Sequence, residues 1–159
     1  MARILIIAYG NPLRSDDGLA WHAADLLQAK LLQEELPSLD ILRLQQLGPE
    51  LAETLRHHDA VIFLDAAAPA ADLLPGHTSI QELGSDTSSS RASHACAPTE
   101  IIKLARELYD VQLRAYLATM VGENFDPGET LSTVITAALP AFVRRVAAFI
   151  DTVSSGAPV

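Results

Sequence analysis

Apolar residues along the chain form two kinds of pattern, short uninterrupted runs and longer segments with helical spacing. The runs at 4–8 and 61–64 are fully apolar, and polar residues follow each of them. This pattern predicts strands buried on both faces of a sheet. Alternating residues over 113–118 predict another strand. Residues 39–45 and 78–83 predict two more, the latter at a sheet edge. About five strands are therefore expected.

Between these strands, apolar residues recur every three or four positions, which predicts helices. The expected helices are 16–32, a short one over 47–55, one opened by Pro98, and 131–150, in which Pro140 should kink or split the helix. The residues expected to face the core of the three longer helices are Leu19, Ala23, Leu26, Leu27 and Lys30; Ile101, Leu104, Ala105 and Leu108; and Leu131, Val134, Ile135, Ala138, Phe142, Val146 and Phe149.

The order of these elements is β-α-β-α-β-β-α-β-α, and strands that alternate with helices favour a parallel sheet covered on both faces. We therefore predict an α/β protein, a three-layer α/β/α sandwich around a twisted, mainly parallel sheet of about five strands. One domain over 1–153 and a flexible tail at 154–159 account for the 159 residues. The segment 84–93, rich in Ser, Thr and Asp, is expected to be a mobile loop.

Charge and cysteine content exclude several classes of function. A net charge of -9, from 11 basic and 20 acidic residues, argues against partners such as nucleic acid and anionic membranes. Cys96 is the only cysteine, so a disulfide framework or a cysteine-rich zinc site is impossible. The first apolar run has five residues, too few for a signal peptide or a membrane span, and no other run approaches that length. A cytoplasmic monomer is expected.

Ligands in open parallel sheets bind beyond the carboxyl ends of the strands. Asp16 and Asp17 follow the first strand, Asp65 follows the third, and His94 follows the fourth. Two carboxylates and an imidazole from separate strand ends could converge on one divalent cation, and these ligand types suit zinc, nickel, manganese or iron alike.

Each of these residues also has a purely structural interpretation. Ser15-Asp16-Asp17 is a good helix start, with a cap followed by acids at the positive end of the helix dipole, and this is the commoner role for such a sequence. Asp65 could accept backbone hydrogen bonds, although a buried carboxylate without a partner would be costly. A lone His94 would more often be a surface loop residue.

Other chemistries have less support. The turn after the first strand contains Gly10 without the two further glycines of the dinucleotide fingerprint, and its two acids oppose phosphate binding, so no nucleotide cofactor is expected. No Gly-x-Ser-x-Gly elbow is present. Cys96 lies two residues from His94, but residues so close in a loop rarely form an oriented pair, and a small buried thiol is the usual case.

The segment Tyr9-Gly10-Asn11-Pro12-Leu13-Arg14-Ser15-Asp16-Asp17-Gly18 resembles the opening motif of the hydrogenase maturation proteases, Gly-x-Gly-Asn-x-Leu-x-x-Asp-Asp/Glu-Gly after the first strand. The similarity continues in order along the chain. Phe63-Leu64-Asp65-Ala66 resembles the second acidic strand end, Ser93-His94 the family's Ser-x-His loop, and Leu131-Ser132 the start of its last helix.

The resemblance implies that Asp17, Asp65 and His94 are both catalytic residues and metal ligands, with Asp16 in a supporting or general-base role. It implies an endopeptidase of the aspartyl type that removes the C-terminal extension of a [NiFe] hydrogenase large-subunit precursor after nickel insertion, and so activates that enzyme. Nickel would arrive with the substrate. Either the metal or a carboxylate would activate the attacking water.

The sequence departs from the family pattern at three places. Ala8 replaces the first glycine of the motif, and Ala20 stands where glycine is frequent. Residues 45–51 replace a Gly-Gly-Thr segment, and in this they are closer to members that serve soluble, NAD-linked bidirectional hydrogenases. Two rival functions stay open: a non-catalytic nickel-binding chaperone with the same ligands, and a flavodoxin-like nucleotide-binding module.

Overall fold

The computed structural model describes residues 2–34, 39–84, 96–156 and 159. Its sheet has five strands in the order β2-β1-β3-β5-β4. The strands are β1 (Ile4–Tyr9), β2 (Leu39–Leu44), β3 (Ala60–Ala67), β4 (Thr78–Glu82) and β5 (Arg114–Val121). Pairing is parallel except between β4 and β5, so the mainly parallel sheet and the edge position of β4 are confirmed.

Helices cover both faces of this sheet. They are α1 (Leu19–Glu34), α2 (Leu51–Leu55), α3 (Pro98–Tyr109) and α4 (Thr133–Ser154), with a 3-10 turn at Ser15–Gly18 ahead of α1. The buried residues of α1 and α4 pack against one face of the sheet, and those of α2 and α3 pack against the other. The three-layer α/β/α architecture is therefore confirmed, and the burial of both faces explains the continuous apolar runs of β1 and β3.

Some residues that the sequence places in the core are exposed. Leu26 of α1, Leu108 of α3 and Val134 of α4 expose 44%, 61% and 42% of their surface. These three predictions were wrong because helical spacing marks a wide stripe, and only the part of it that meets the sheet becomes buried. The same holds for Lys30, whose ammonium group forms an exposed ion pair with Glu34. In α3 the buried residues are Ile101 and Ala105, as predicted, together with Ile102.

Pro140 lies inside α4 without splitting it, since the helix runs unbroken from Thr133 to Ser154. Among the described residues, α4 is also the helix long and apolar enough to cross a membrane by length and composition, contrary to the expectation that no other run would approach this length. Its apolar side chains form part of the core against the sheet, which accounts for that composition. The helix extends one residue beyond the predicted domain end at 153.

Candidate active site

The carboxyl ends of β1 and β3 lie side by side. These strands pair in parallel up to Ala8 and Leu64, so Tyr9 and Asp65 are the next residues along each strand. β3 continues to Ala67 along its other neighbour, β5, and so does not end on Asp65 as the sequence suggested. The strand pairing therefore exposes one edge of β3 to the turn that follows β1, at the position of Asp65.

Asp65 is half-buried and lies close to a second acid. Burial is the main cause that raises the pKa of its carboxyl to about 7, and the negative charge of Asp17 adds to this rise. Hydrogen bonds from the Tyr9 hydroxyl and the Ala66 backbone act in the opposite direction. The structure thus brings together Asp17 and Asp65, two of the predicted site residues, closely enough for their charges to interact.

Tyr9 is a site residue that the sequence interpretation did not single out. Its hydroxyl donates a hydrogen bond to Asp65, and burial, with the Asp65 charge, raises the pKa of the phenol far above its usual value. The Tyr9 ring contacts the Phe63 ring edge to face, with centroids 6.3 Å apart. The sequence does contain a signal for this contact. Tyr9 directly follows the apolar run of β1, just as Asp65 directly follows the apolar run of the neighbouring strand.

The turn after β1 holds Asp17 in place. The Asn11 backbone N–H donates to Asp17 Oδ2 at 2.8 Å. Gly10 has φ of 144°, and a Cβ at this position would lie 2.1 Å from the Asp17 carbonyl oxygen. Only glycine tolerates both that conformation and that approach, which explains why the motif contains glycine here. The hydrogen bond of the Asn11 N–H is therefore made within the turn, to the Asp17 carboxylate.

The predicted cap at Ser15 was wrong, although Asp16 and Asp17 do lie in the first turn of the 3-10 helix. The Ser15 hydroxyl donates to the Asp126 carbonyl oxygen at 2.7 Å, and the residue before the 3-10 turn makes no side-chain cap hydrogen bond. Asp16 is fully buried, and its carboxylate accepts hydrogen bonds from Glu123, Asn124 and Ser132. Burial opposes its ionisation, but these hydrogen bonds prevail and lower the pKa of Asp16. This arrangement favours the supporting role of Asp16 over the general-base role.

His94 and most of the predicted loop at 84–93 lie outside the described residues. Within the described ranges, no group of three or more His, Cys, Asp and Glu side chains is arranged to hold a metal ion. Cys96, just beyond the gap, is half-buried, and burial together with Glu100 and Glu50 raises the pKa of its thiol. A raised pKa disfavours the thiolate, which agrees with the discounted role of Cys96 as a nucleophile.

The paired acids suit a cation. Two carboxylates that repel each other in a partly buried position would both be favoured in the ionised form by a positive charge between them. Asp17 and Asp65 provide oxygen ligands, and a third ligand such as imidazole would leave open coordination positions on a divalent transition metal. The donor chemistry therefore fits the metal that the sequence resemblance implies.

Comparison with solved structures identifies the fold. A [NiFe] hydrogenase maturation protease HybD from Thermococcus kodakarensis matches with a TM-score of 0.72 at 21% identity, covering 92% of this chain and 98% of that one. The hydrogenase maturating endopeptidase HybD from Escherichia coli matches with a TM-score of 0.67 at 20% identity, covering 97% and 94%. The chain has the fold of the hydrogenase maturation proteases.

A third structure of this kind, HycI from Thermococcus kodakarensis, matches with a TM-score of 0.71 at 20% identity over 94% of this chain and 93% of that one. Neither a family model nor a curated protein sequence matches the chain. On the hydrogenase maturation protease fold, the motif at 9–18 forms the end of β1, the following turn and the 3-10 turn. The divergent segment 45–51 follows β2 and ends at the start of α2, at the same edge of the sheet.

Proposed function

We propose that this protein is an endopeptidase that removes the C-terminal extension of a [NiFe] hydrogenase large-subunit precursor after nickel insertion. The observation that supports this most is the interaction of Asp17, in the turn formed by the motif at 9–18, with Asp65 of the neighbouring strand β3. Solved proteins of this fold are named as hydrogenase maturation proteases and endopeptidases. Fold and acid pair together favour peptide hydrolysis.

We propose that Asp17, Asp65 and His94 hold nickel that the precursor brings to the site. Bound there, the metal would supply Lewis-acid polarisation of an adjacent carbonyl or water. The protein's own contribution is to place the ligands. Tyr9 donates to Asp65, and the Asn11 amide donates to Asp17, so that each carboxylate keeps a fixed orientation before the substrate arrives.

The rest of the molecule is compatible with an encounter of this kind. The net charge of -9 favours the approach of a cationic metal centre or a basic peptide. We propose a cytoplasmic monomer, and the same net charge disfavours binding to anionic membranes.

Three substitutions test the ligand set. Asp17→Ala, Asp65→Ala and His94→Ala should each abolish processing of a nickel-loaded precursor, because each removes one of three ligands to the same ion. Thermal unfolding of each variant should show a folded protein. His57→Ala and Asp151→Ala are matched controls of the same residue types at exposed positions outside the site, and both should process normally.

The alternative is a chaperone that binds nickel through the same residues without cleaving. Binding of the nickel-loaded precursor with no change of its mass would favour that alternative. Full processing by His94→Ala would instead remove His94 from the site and leave the peptidase function standing.

A further inference from the structure

The Asp16 carboxylate joins two segments that are more than a hundred residues apart in sequence. The side chain is fully buried and accepts four hydrogen bonds. The donors are Glu123 N and Asn124 N, each 2.9 Å from Oδ2; Ser132 Oγ, 2.7 Å from Oδ2; and Ser132 N, 2.8 Å from Oδ1. Three of these are backbone amides, so one side chain fixes the path of the chain between β5 and α4.

Further hydrogen bonds connect the same two segments. They are Ser15 N to Gly128 O at 2.9 Å, Asp16 N to Asn124 O at 2.9 Å, Gly128 N to Leu13 O at 2.9 Å and Ser15 Oγ to Asp126 O at 2.7 Å. The approach is also close, because a Cβ on Gly122 would lie 3.0 Å from the Asp16 Cβ and 2.7 Å from Phe125 Cζ. We call this contact between residues 13–16 and 122–132 the Asp16 joint.

Asp17 is the next residue along the chain, and it is held from two sides. On one side, its carboxylate accepts a hydrogen bond from the N–H of Asn11, two residues beyond the end of β1. On the other, the Asp16 joint holds the 3-10 turn in which Asp17 lies. Ser15 in this turn has φ of 50°, a left-handed conformation that a non-glycine residue adopts only when its surroundings enforce it. The joint provides that enforcement.

We propose that Asp16 is a positioning residue, which acts through Asp17 by joining the 3-10 turn to residues 122–132. This inference rests on the proposed function, in which Asp17 is a ligand to the nickel of the substrate. Asp16 itself is fully enclosed and cannot contact a substrate in this conformation. An amide cannot replace this carboxylate, because both carboxylate oxygens accept hydrogen bonds. The NH2 group of an amide would face an N–H or O–H donor, and two donors cannot bond to each other.

The variant Asp16→Asn separates positioning from the other possible roles. Supporting residues behind metal ligands typically change metal affinity or activity by about 10- to 100-fold. We therefore expect KM for the nickel-loaded precursor to rise about 10-fold or more in Asp16→Asn, with kcat changed by less than about 3-fold. A general base would show the opposite, a large fall in kcat at constant KM, and that result would overturn the proposal.

A second readout does not depend on catalysis. Hydrogen exchange of the Asn11 amide, which is bonded to the Asp17 carboxylate, reports the position of Asp17 in the free protein. In Asp16→Asn we expect this amide to lose about 10-fold more protection than the Ile6 amide in the centre of the sheet. Equal loss at both amides would mean that Asp16 stabilises the fold as a whole and does not position Asp17.

Val153→Ala is the matched control for stability. Val153 is fully buried near the end of α4, far along the helix from Ser132, and its truncation destabilises the same helix without touching the joint. It should leave KM and the relative protection of Asn11 unchanged. If Asp16→Asn does not fold, Ser132→Ala can replace it, since this variant removes one hydrogen-bond donor to Asp16. The same changes in KM and in the protection of the Asn11 amide are then expected, but smaller.

The two proposals fail separately. If the wild-type protein does not process the precursor, the proposed function fails, and the exchange comparison still decides whether Asp16 positions Asp17. If processing occurs and Asp16→Asn changes neither KM nor Asn11 exchange, the positioning role alone is wrong.

Discussion

The carboxyl group of Asp65 lies in a position that disfavours its own charge. Burial, and then the charge of Asp17, raise its pKa to about 7, whereas a carboxyl in an unfolded chain titrates near 4. Between these values the folded state binds a proton more tightly than the unfolded state. The free energy of unfolding therefore falls as the pH rises from about 4 to about 7, and the loss is complete above pH 7.

This leads to a prediction for Asp65→Asn in metal-free protein. The amide of asparagine stays neutral and has no cost of ionisation in the folded protein. The variant should therefore gain stability relative to the wild type as the pH rises. The difference in free energy of unfolding should grow by about 2–4 kcal/mol between pH 4 and pH 8. Urea unfolding of both proteins in the presence of a chelator measures it, and a difference that is constant with pH would contradict the burial of a charged Asp65.

At the residue scale, the sequence pattern singled out the two acids that the structure brings together, because it placed both at the ends of strands of one parallel sheet, although Asp65 lies within β3. It did not identify Tyr9 as the partner of Asp65, or Ser132 and residues 123–124 as the partners of Asp16. These contacts depend on which strands become neighbours and on how a loop returns across the sheet edge. Hydrophobic periodicity contains no information on either.

At the scale of elements, the sequence placed all five strands and the four helices within a few residues, since continuous apolar runs and helical spacing are direct consequences of burial. The first helix was predicted to start at Asp16, but Ser15–Gly18 forms a separate 3-10 turn. The reason is that the polar groups of Ser15 and Asp16 bind residues 122–132 instead of capping a helix.

The orientation of α3 gives a prediction on a single helix. Ile101 is fully buried against the sheet, whereas Leu108, which the sequence placed on the same inner face, is 61% exposed. Ile101→Ala should lower the free energy of unfolding by about 2–5 kcal/mol, because it leaves a cavity. Leu108→Ala should change it by less than about 0.5 kcal/mol. Urea denaturation of the two variants measures both values, and a large effect at Leu108 would mean that α3 is rotated from the orientation described.

At the scale of the whole molecule, the chain combines an acidic surface charge with an acid pair at one edge of a parallel sheet. The three-layer architecture was predictable because strands and helices alternate along the chain, and this alternation leaves few topologies. The sheet order was not predictable from the same pattern, since periodicity does not say which strands pair. The segment 45–51, which departs from the family pattern, follows β2 and ends at the start of α2.

The most direct test of the peptidase account is the intact mass of a hydrogenase large-subunit precursor after incubation with this protein. If the protein is the proposed peptidase, a nickel-loaded precursor loses a short C-terminal peptide and a nickel-free precursor keeps its full mass. An unchanged mass of the cognate nickel-loaded precursor, with the protein folded, would contradict it.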